Sequence, residues 1–386
     1  MTNSTFGINP AVLRWAREAQ GLGINGVALR LKRRPEEVAS WERGTHAPTY
    51  PQLEQLAYRI YRRPLAVFFL PKPPEEPEIK QEFRSLPDFE IERLAPTTRY
   101  QLRKARALQI SLNELNNGEN PSERKIFRDL NLSTSSSIPE SAAQLRSYLN
   151  ITVREQASWA SADEALEQWR DRVETVGIFV FKDTFRQEEI SGFCIYDSEF
   201  PIIYINNSTA KTRQIFTLFH ELAHLLLHKN AIATLDEDYL DLLPSSEQRI
   251  ERFCNTLVAV FLVPDVDFEV RIKGVMPTND REIAELACDY SVSREVILRK
   301  ILDRRLIDDI YYKKKIETWA NQAARSGSGG DYYATQASYL GNAYLRLVFS
   351  KHYQGKITLE QVADYLGVRS KSVAGLEELV LKRTPA

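Results

Sequence analysis

Cysteine is scarce in this chain of 386 residues: Cys194, Cys254 and Cys288 lie far apart, and no two of them form a CxxC pair. That argues against a disulfide framework and a cysteine zinc knuckle, and it suits a reducing compartment. Long apolar runs are missing too. The stretch LAVFFLP falls far short of the roughly 20 residues needed to cross a bilayer. The first residues, MTNSTFGINP, have neither the basic segment nor the apolar core of a secretion signal. A soluble cytoplasmic protein without a membrane partner is therefore expected. Net charge is also nearly absent, at -1, so the whole molecule has no strong pull toward nucleic acid and any such surface must be local. No fixed-period repeat is present. What remains is ordinary for globular chains, 43% apolar and 27% charged, at a length that suggests two to four domains.

Residues 9–70 read as a run of short helices. Asn9-Pro10 opens the first and Gly21 and Gly23 stop it. A second is expected over Gly26–Lys32, a third over Pro35–Arg43 and a fourth over Tyr50–Tyr61. The segment PKPPEEPEIK at 71–80 is rich in proline and glutamate and reads as an extended linker. After a charged helical stretch at 96–116 and a polar loop at 131–140 come helices near 141–149 and 162–175. VGIFVF at 176–181 has the look of a buried strand. SGFCIYDSEFPIIYINN at 191–207 reads as two strands around a turn at Asp197–Phe200. A long helix over about 208–228 follows, then a loop with Asp236, Glu237, Asp238 and Asp241. Next come a helix over 246–262 that stops at Pro264 and a pair at 281–288 and 293–304. GSGGD at 327–331 is a joint, and the tail 332–386 is helical.

The strongest chemical signal is HELAH at 220–224. Helix residues four apart differ by about 40° in azimuth and about 6 Å in height. His220 and His224 can therefore share one ion, with Glu221 beside them to take a proton from a metal-activated water and pass it to a leaving amine. Such strings also arise by chance on solvated helices. Here strands precede the motif, the helix has an apolar face, and three of only five histidines fall within nine residues.

Catalytic zinc commonly takes a third protein ligand. His228 lies eight residues past His220, about 80° around and about 12 Å along, which is too far on an unbroken helix. It reads as a helix-end residue or as support for the ligands. Glu251 on the following helix is the preferred third ligand, and Glu247, one turn earlier on a similar face, is its rival. Two histidines and a carboxylate in a peptidase context favour Zn2+, although Mn2+ and Fe2+ accept the same set.

KTRQIFTLFHELAHLLLH, followed by ExxCN and a closing LVP and preceded by the SGFCIYD…PIIYINN hairpin, resembles the ImmA/IrrE metallopeptidases over roughly residues 140–265. The resemblance implies a zincin-like core with His220, His224 and Glu251 as ligands and Glu221 as general base. Cys254 and Asn255 fall on the family's positions. Asn255 would steady the site by hydrogen bonding, or the two simply pack the helix. NPAVLRWAREAQGL…PEEVASWERGTHAPTYPQLEQLA resembles an Xre-type helix-turn-helix, and the tail resembles the C-terminal extension of some long members. Members of this kind typically cut one repressor, which releases stress-response or mobile-element genes. The 191–206 hairpin, with Ile203 and Tyr204, is expected to offer an edge to a substrate strand.

Residues 1–72 carry 11 Lys and Arg against 5 Asp and Glu. That local excess suits phosphate contact. With Pro35–Arg43 as recognition helix, Arg33, Arg34 and Arg43 are the expected DNA contacts, while Glu36, Glu37 and Glu42 limit base readout. Trp41 reads as core. Nucleic-acid binding by the tail rhythm at 358–372 is set against a packing or oligomerisation bundle.

The expected architecture is multidomain and mainly α with a small α+β peptidase core. A five-helix lambda-repressor-like domain at 1–72 and a linker at 73–95 precede a peptidase domain at 96–265. A helix-turn-helix-like segment at 266–320, a linker at 321–331 and an extension at 332–386 follow. The expected function is a zinc endopeptidase that cuts a DNA-binding repressor and contacts double-stranded DNA, with a homodimer allowed. The rival is a non-catalytic helix-turn-helix regulator or antitoxin whose peptidase-like part only senses.

Overall fold

The computed structural model describes residues 7–76, 79, 88–234, 243–322 and 331–383. The acidic stretch with Asp236, Glu237, Asp238 and Asp241 lies outside them, as do residues 323–330 of the expected second linker. By its packing the chain divides after Arg106 into two units.

The first unit begins with α1 (Pro10–Ala19), whose first turn is fixed by its cap. Asn9 accepts a hydrogen bond from the Ala11 amide, and Pro10 needs no partner for a missing N–H. Then come α2 (Ile24–Leu31), α3 (Pro35–Arg43) and α4 (Tyr50–Glu54), which widens into a π-type turn over Gln55–Tyr61, and a 3-10 turn at Leu65–Phe69. Left-handed Lys32 ends α2, and left-handed Gly44 ends α3. Their apolar faces meet in one core that includes Leu13, Val27, Val38, Trp41, Leu56 and Phe68. Glu42, expected on the recognition surface, is instead buried. Its carboxylate accepts from Arg17 at 2.7 and 2.9 Å, so it is taken out of the exposed face. The described residues within 73–95, expected as a linker, are not all extended. A helix, α5 (Asp88–Arg93), sits within 73–95. The start of α6 (Pro96–Leu115) packs with the first unit, because Arg62 lies 4.8 Å over the Tyr100 ring and the Arg99 side chain fills the space beside Gly21.

The second unit is mainly helical around one small mixed sheet. Its helices α7 (Ile126–Asp129), α8 (Ile138–Leu149), α9 (Val153–Gln156) and α10 (Ala162–Thr175) lead into β1 (Phe179–Asp183), β2 (Ile190–Ile195) and β3 (Ile202–Asn206). The turn between β2 and β3 is set by Asp197, whose carboxylate accepts from the Glu199 and Phe200 amides, both at 2.8 Å. Next come α11 (Lys211–Leu226), β4 (Ala231–Thr234) and α12 (Ser245–Leu262). The strand order is β1-β3-β2-β4, with β1 parallel to β3 and the other pairs antiparallel. This overturns the expected substrate edge. Both strands of the 191–206 hairpin are interior, paired on each side, and Ile203 and Tyr204 are buried. Among the described residues the edges are β1 and β4.

Side chains alternate across the sheet. Val180, Cys194, Ile203 and Ile205 face α10, α11 and α12 in the main core. Phe181, Phe193 and Tyr204 face the other way: Phe193 stacks on Tyr204, Phe185 packs at a tilt against both, and Phe181 meets Tyr204. The helix α11 lies on β2, β3 and β4, and Gly192 on β2 lets it come close: a Cβ there would sit 2.6 Å from the Thr217 methyl.

The segment 266–320 forms α13 (Asp265–Arg271), α14 (Asp280–Asp289), α15 (Arg294–Asp303) and α16 (Asp309–Gln322). Expected as a unit of its own, it shares a core with the residues before it: Phe268, Ile283, Tyr290, Ile297 and Trp319 join the same cluster as Trp169 and Phe261. Two of its basic residues, Lys300 and Arg304, are both paired to Asp265. The tail forms α17 (Tyr332–Leu340), α18 (Asn342–Tyr353), α19 (Leu359–Leu366) and α20 (Val373–Arg383). It docks on α10 and β1. Arg170 donates to the Ser338 carbonyl at 2.6 Å and to the Val180 carbonyl, and it holds Glu174 at 3.1 Å in a pair that is buried on both sides. The Phe181 and Tyr344 rings meet edge to face at 5.3 Å.

Candidate metal centre

The helix α11 is built to present its middle turn inward. Its N-terminal turn is held by Gln214, which donates to the Thr209 carbonyl at 2.7 Å. Its C-terminus closes on His228, a left-handed residue with φ 55, after which the Lys229 amide returns to the His224 carbonyl at 3.0 Å. The ring of His228 donates from Nε2 to the Phe127 carbonyl at 3.3 Å and lies 4.9 Å from the Tyr196 ring. His228 is thus a helix stop that ties α7 to the end of α11. It does not touch the ligands it was expected to support.

The second supporting helix, α12, is anchored at its far end. Arg146 on α8 donates to the Phe261 carbonyl at 2.6 Å, and Gln156 donates to the Leu262 carbonyl at 3.0 Å. Those are carbonyls that a helix end leaves without internal partners. With both helices fixed, Glu251 comes to face the two histidines.

His220 Nε2 and His224 Nε2 are 3.1 Å apart, and each lies 3.2 Å from a different oxygen of Glu251. Among the described residues this is the one group of three such side chains close enough to share an ion, and Glu247 is not part of it. Tetrahedral ligands at about 2.0–2.1 Å from zinc sit roughly 3.3 Å from one another, so the spacing fits a small divalent ion. The donor set fits as well, two imidazole nitrogens and a carboxylate. Against the cost of burial, the two imidazoles hold the Glu251 carboxyl far below the usual carboxylate range. The side chains of His220 and His224 are 7% and 3% exposed and that of Glu251 20%, so the site opens on the glutamate side.

Glu221 is fully buried beside this cluster, and burial pushes its pKa up. Both of its oxygens, and His220 Nδ1, are buried without a hydrogen-bond partner. Leaving such groups unsatisfied costs on the order of 1–3 kcal/mol each, and such costs concentrate where function needs them. The Cys194 thiol on β2 lies against Glu221 and donates to the Lys229 carbonyl at 3.6 Å, while the Cys254 thiol lies against His224. Cys194 was not anticipated at the site. The signal that could have found it is Gly192, an isolated glycine in a strand, which marks a close approach of backbone to a neighbour. Asn255, one turn beyond Glu251, is half-buried and bonds to none of the ligands. Arg33, Arg34 and Arg43 are exposed in the first unit, with Arg33 4.0 Å from Glu37 and Arg34 at the start of α3.

No helix among the described residues is long and apolar enough to cross a membrane. Residues 173–302 match the family model of the IrrE N-terminal-like domain. The radiation response metalloprotease IrrE of Deinococcus deserti is 35% identical over 118 residues, which is 30% of this chain and 41% of that protein. The protein of the same name from Deinococcus radiodurans is 32% identical over 122 residues, 30% of this chain and 35% of that one. The chain therefore spans about two-fifths or less of the length of these curated relatives. The stretch that carries His220, His224 and Glu251 is similar to IrrE metalloproteases, and these likenesses support the ImmA/IrrE metallopeptidase family for residues 173–302.

Proposed function

We propose that this protein is a zinc-dependent endopeptidase that cuts a regulatory protein, a DNA-binding repressor by expectation, and so controls stress-response or mobile-element genes. The observation that carries the reading is the convergence of His220, His224 and Glu251 beside buried, unpartnered Glu221. A bound Zn2+, or Mn2+ or Fe2+ in its stead, would supply a Lewis acid and a water of lowered pKa. Glu221 accepts the proton of the attacking water, and its raised pKa suits it to hold that proton and hand it to the leaving amine. His220, His224 and Glu251 hold the ion. The surrounding core, with Cys194 and Cys254, excludes bulk water.

The substrate is expected to extend along β4, the edge strand that follows α11 directly, since α11 packs on β4 and not on the far edge β1. The first unit is proposed to bind double-stranded DNA through Arg33, Arg34 and Arg43. Supporting this are the α2–turn–α3 arrangement, the exposure of these arginines and the burial of Glu42 away from the surface. The test is a comparison of new protein N-termini in cells that express the parent chain or Glu221→Gln. A cleaved regulator seen only with the parent is expected. Identical N-terminal profiles would sink the peptidase reading.

A further inference from the structure

Asn255 sits four residues past Glu251 on α12, about 40° around and about 6 Å along. Cys254 sits about 60° to the other side and is fully buried, while Asn255 is half-buried. The open side of the metal centre is therefore Asn255's side of the helix. Helical side chains lean toward the N-terminus, so Asn255 covers the turn that carries Glu251. Among the described residues the amide meets no hydrogen-bond partner, and neither of its polar atoms is a buried orphan. His220 Nδ1, by contrast, is buried without a partner. The amide therefore does not brace that histidine, and its place on the open side of α12 leaves it available to a ligand at the mouth. A side-chain amide offers one donor and one acceptor side by side, which matches a peptide group.

We infer that Asn255 is a substrate-binding residue whose amide hydrogen-bonds the main chain of an extended polypeptide next to the scissile bond. Its NH2 donates to a substrate carbonyl, and its oxygen accepts from a substrate N–H. This rests on the peptidase reading above. It predicts selectivity for a peptide backbone at the mouth, independent of side-chain identity.

The test uses the full chain supplied with zinc and two probes, acetohydroxamate and a peptidyl hydroxamate, in binding titrations alongside zinc analysis. For Asn255→Ala the expected result is unchanged zinc content and unchanged acetohydroxamate affinity, with the peptidyl hydroxamate weakened about 3- to 10-fold, the size of one neutral hydrogen bond. Asn255→Asp, which keeps the acceptor and loses the donor, weakens the peptidyl probe at least as much. Equal affinity of parent and Asn255→Ala for the peptidyl probe overturns the inference alone. Zinc loss in Asn255→Ala that Asn255→Asp restores overturns it too, in favour of a positioning role toward the ligands. Failure of the zinc-supplied parent to bind acetohydroxamate overturns the peptidase reading and the inference with it.

Discussion

Replacing Gly192 by alanine probes how the metal centre is held. The added Cβ would lie 2.6 Å from the Thr217 methyl and 2.9 Å from the Tyr204 carbonyl oxygen, against an ordinary contact of 3.4 Å or more. Relief needs a shift of about 0.8 Å between β2 and α11, because overpacked atoms cannot interpenetrate. Thr217 is three residues from His220, so the displacement reaches the ligands at once. Metal sites tolerate deviations of only about 0.2 Å in ligand distance. Overpacking of this kind costs roughly 1–3 kcal/mol, which corresponds to a fall of about 2–10 °C in Tm for a unit of this size. Zinc affinity should fall at least about tenfold, as for other changes just behind a ligand. Thermal unfolding, followed with and without zinc, and competition against a chromophoric chelator read both effects. Thr217→Ser removes the struck methyl, so the double variant should recover part of each loss. The Tyr204 carbonyl contact remains and prevents full recovery. If Gly192→Ala keeps the parent's Tm and zinc affinity, the close approach of helix to strand does not set the site.

Glu251→Ala should lose stoichiometric zinc while Glu247→Ala retains it, measured as zinc per chain after gentle purification; the reverse pattern would move the third ligand one turn. Arg170→Ala leaves Glu174 buried without its partner, at a cost of about 3–5 kcal/mol, and should free the tail helices to limited proteolysis; a tail that stays as resistant as in the parent refutes that latch. Lys182 on β1 is buried beside Arg170 and Lys211, and burial brings its pKa down to about 7. A lysine depressed in the folded state binds its proton more weakly there than when unfolded. Its contribution to stability therefore rises with pH between about 7 and its ordinary value of 10.5. Lys182→Met should be more stable than the parent near pH 7, with the advantage shrinking toward pH 10 in urea titrations; a pH-independent difference contradicts the assignment.

The ligand-bearing helix was legible because its information is local. HELAH fixes a spacing, and the apolar face around it fixes a helix, so α11 could be placed to within a few residues. Glu251 was legible as a candidate for the same reason, while the choice against Glu247 rests on a contact between two helices. The strand order was not legible. The hairpin at 191–206 looked like an edge because its partners, β1 and the four-residue β4, are set by packing under α10 and α11 respectively. Nothing in the sequence distinguishes Arg170 and Glu174, four apart on a helix, from an ordinary solvated pair. They are buried only because residues 338–343, more than 160 positions away, close over them. The packing of 266–320 was no more legible. Its short amphipathic helices carry no mark of whether their apolar faces meet each other or, as here, the core behind α12.

The seclusion of the two histidines has a kinetic consequence. Among the described residues, an ion held between α11 and α12 would be covered on the histidine side and open toward Glu251. Its exchange would then depend on how readily that carboxylate swings aside. Where that motion is slow, the metal at hand when the site forms would decide occupancy as much as the metal that binds most tightly at equilibrium.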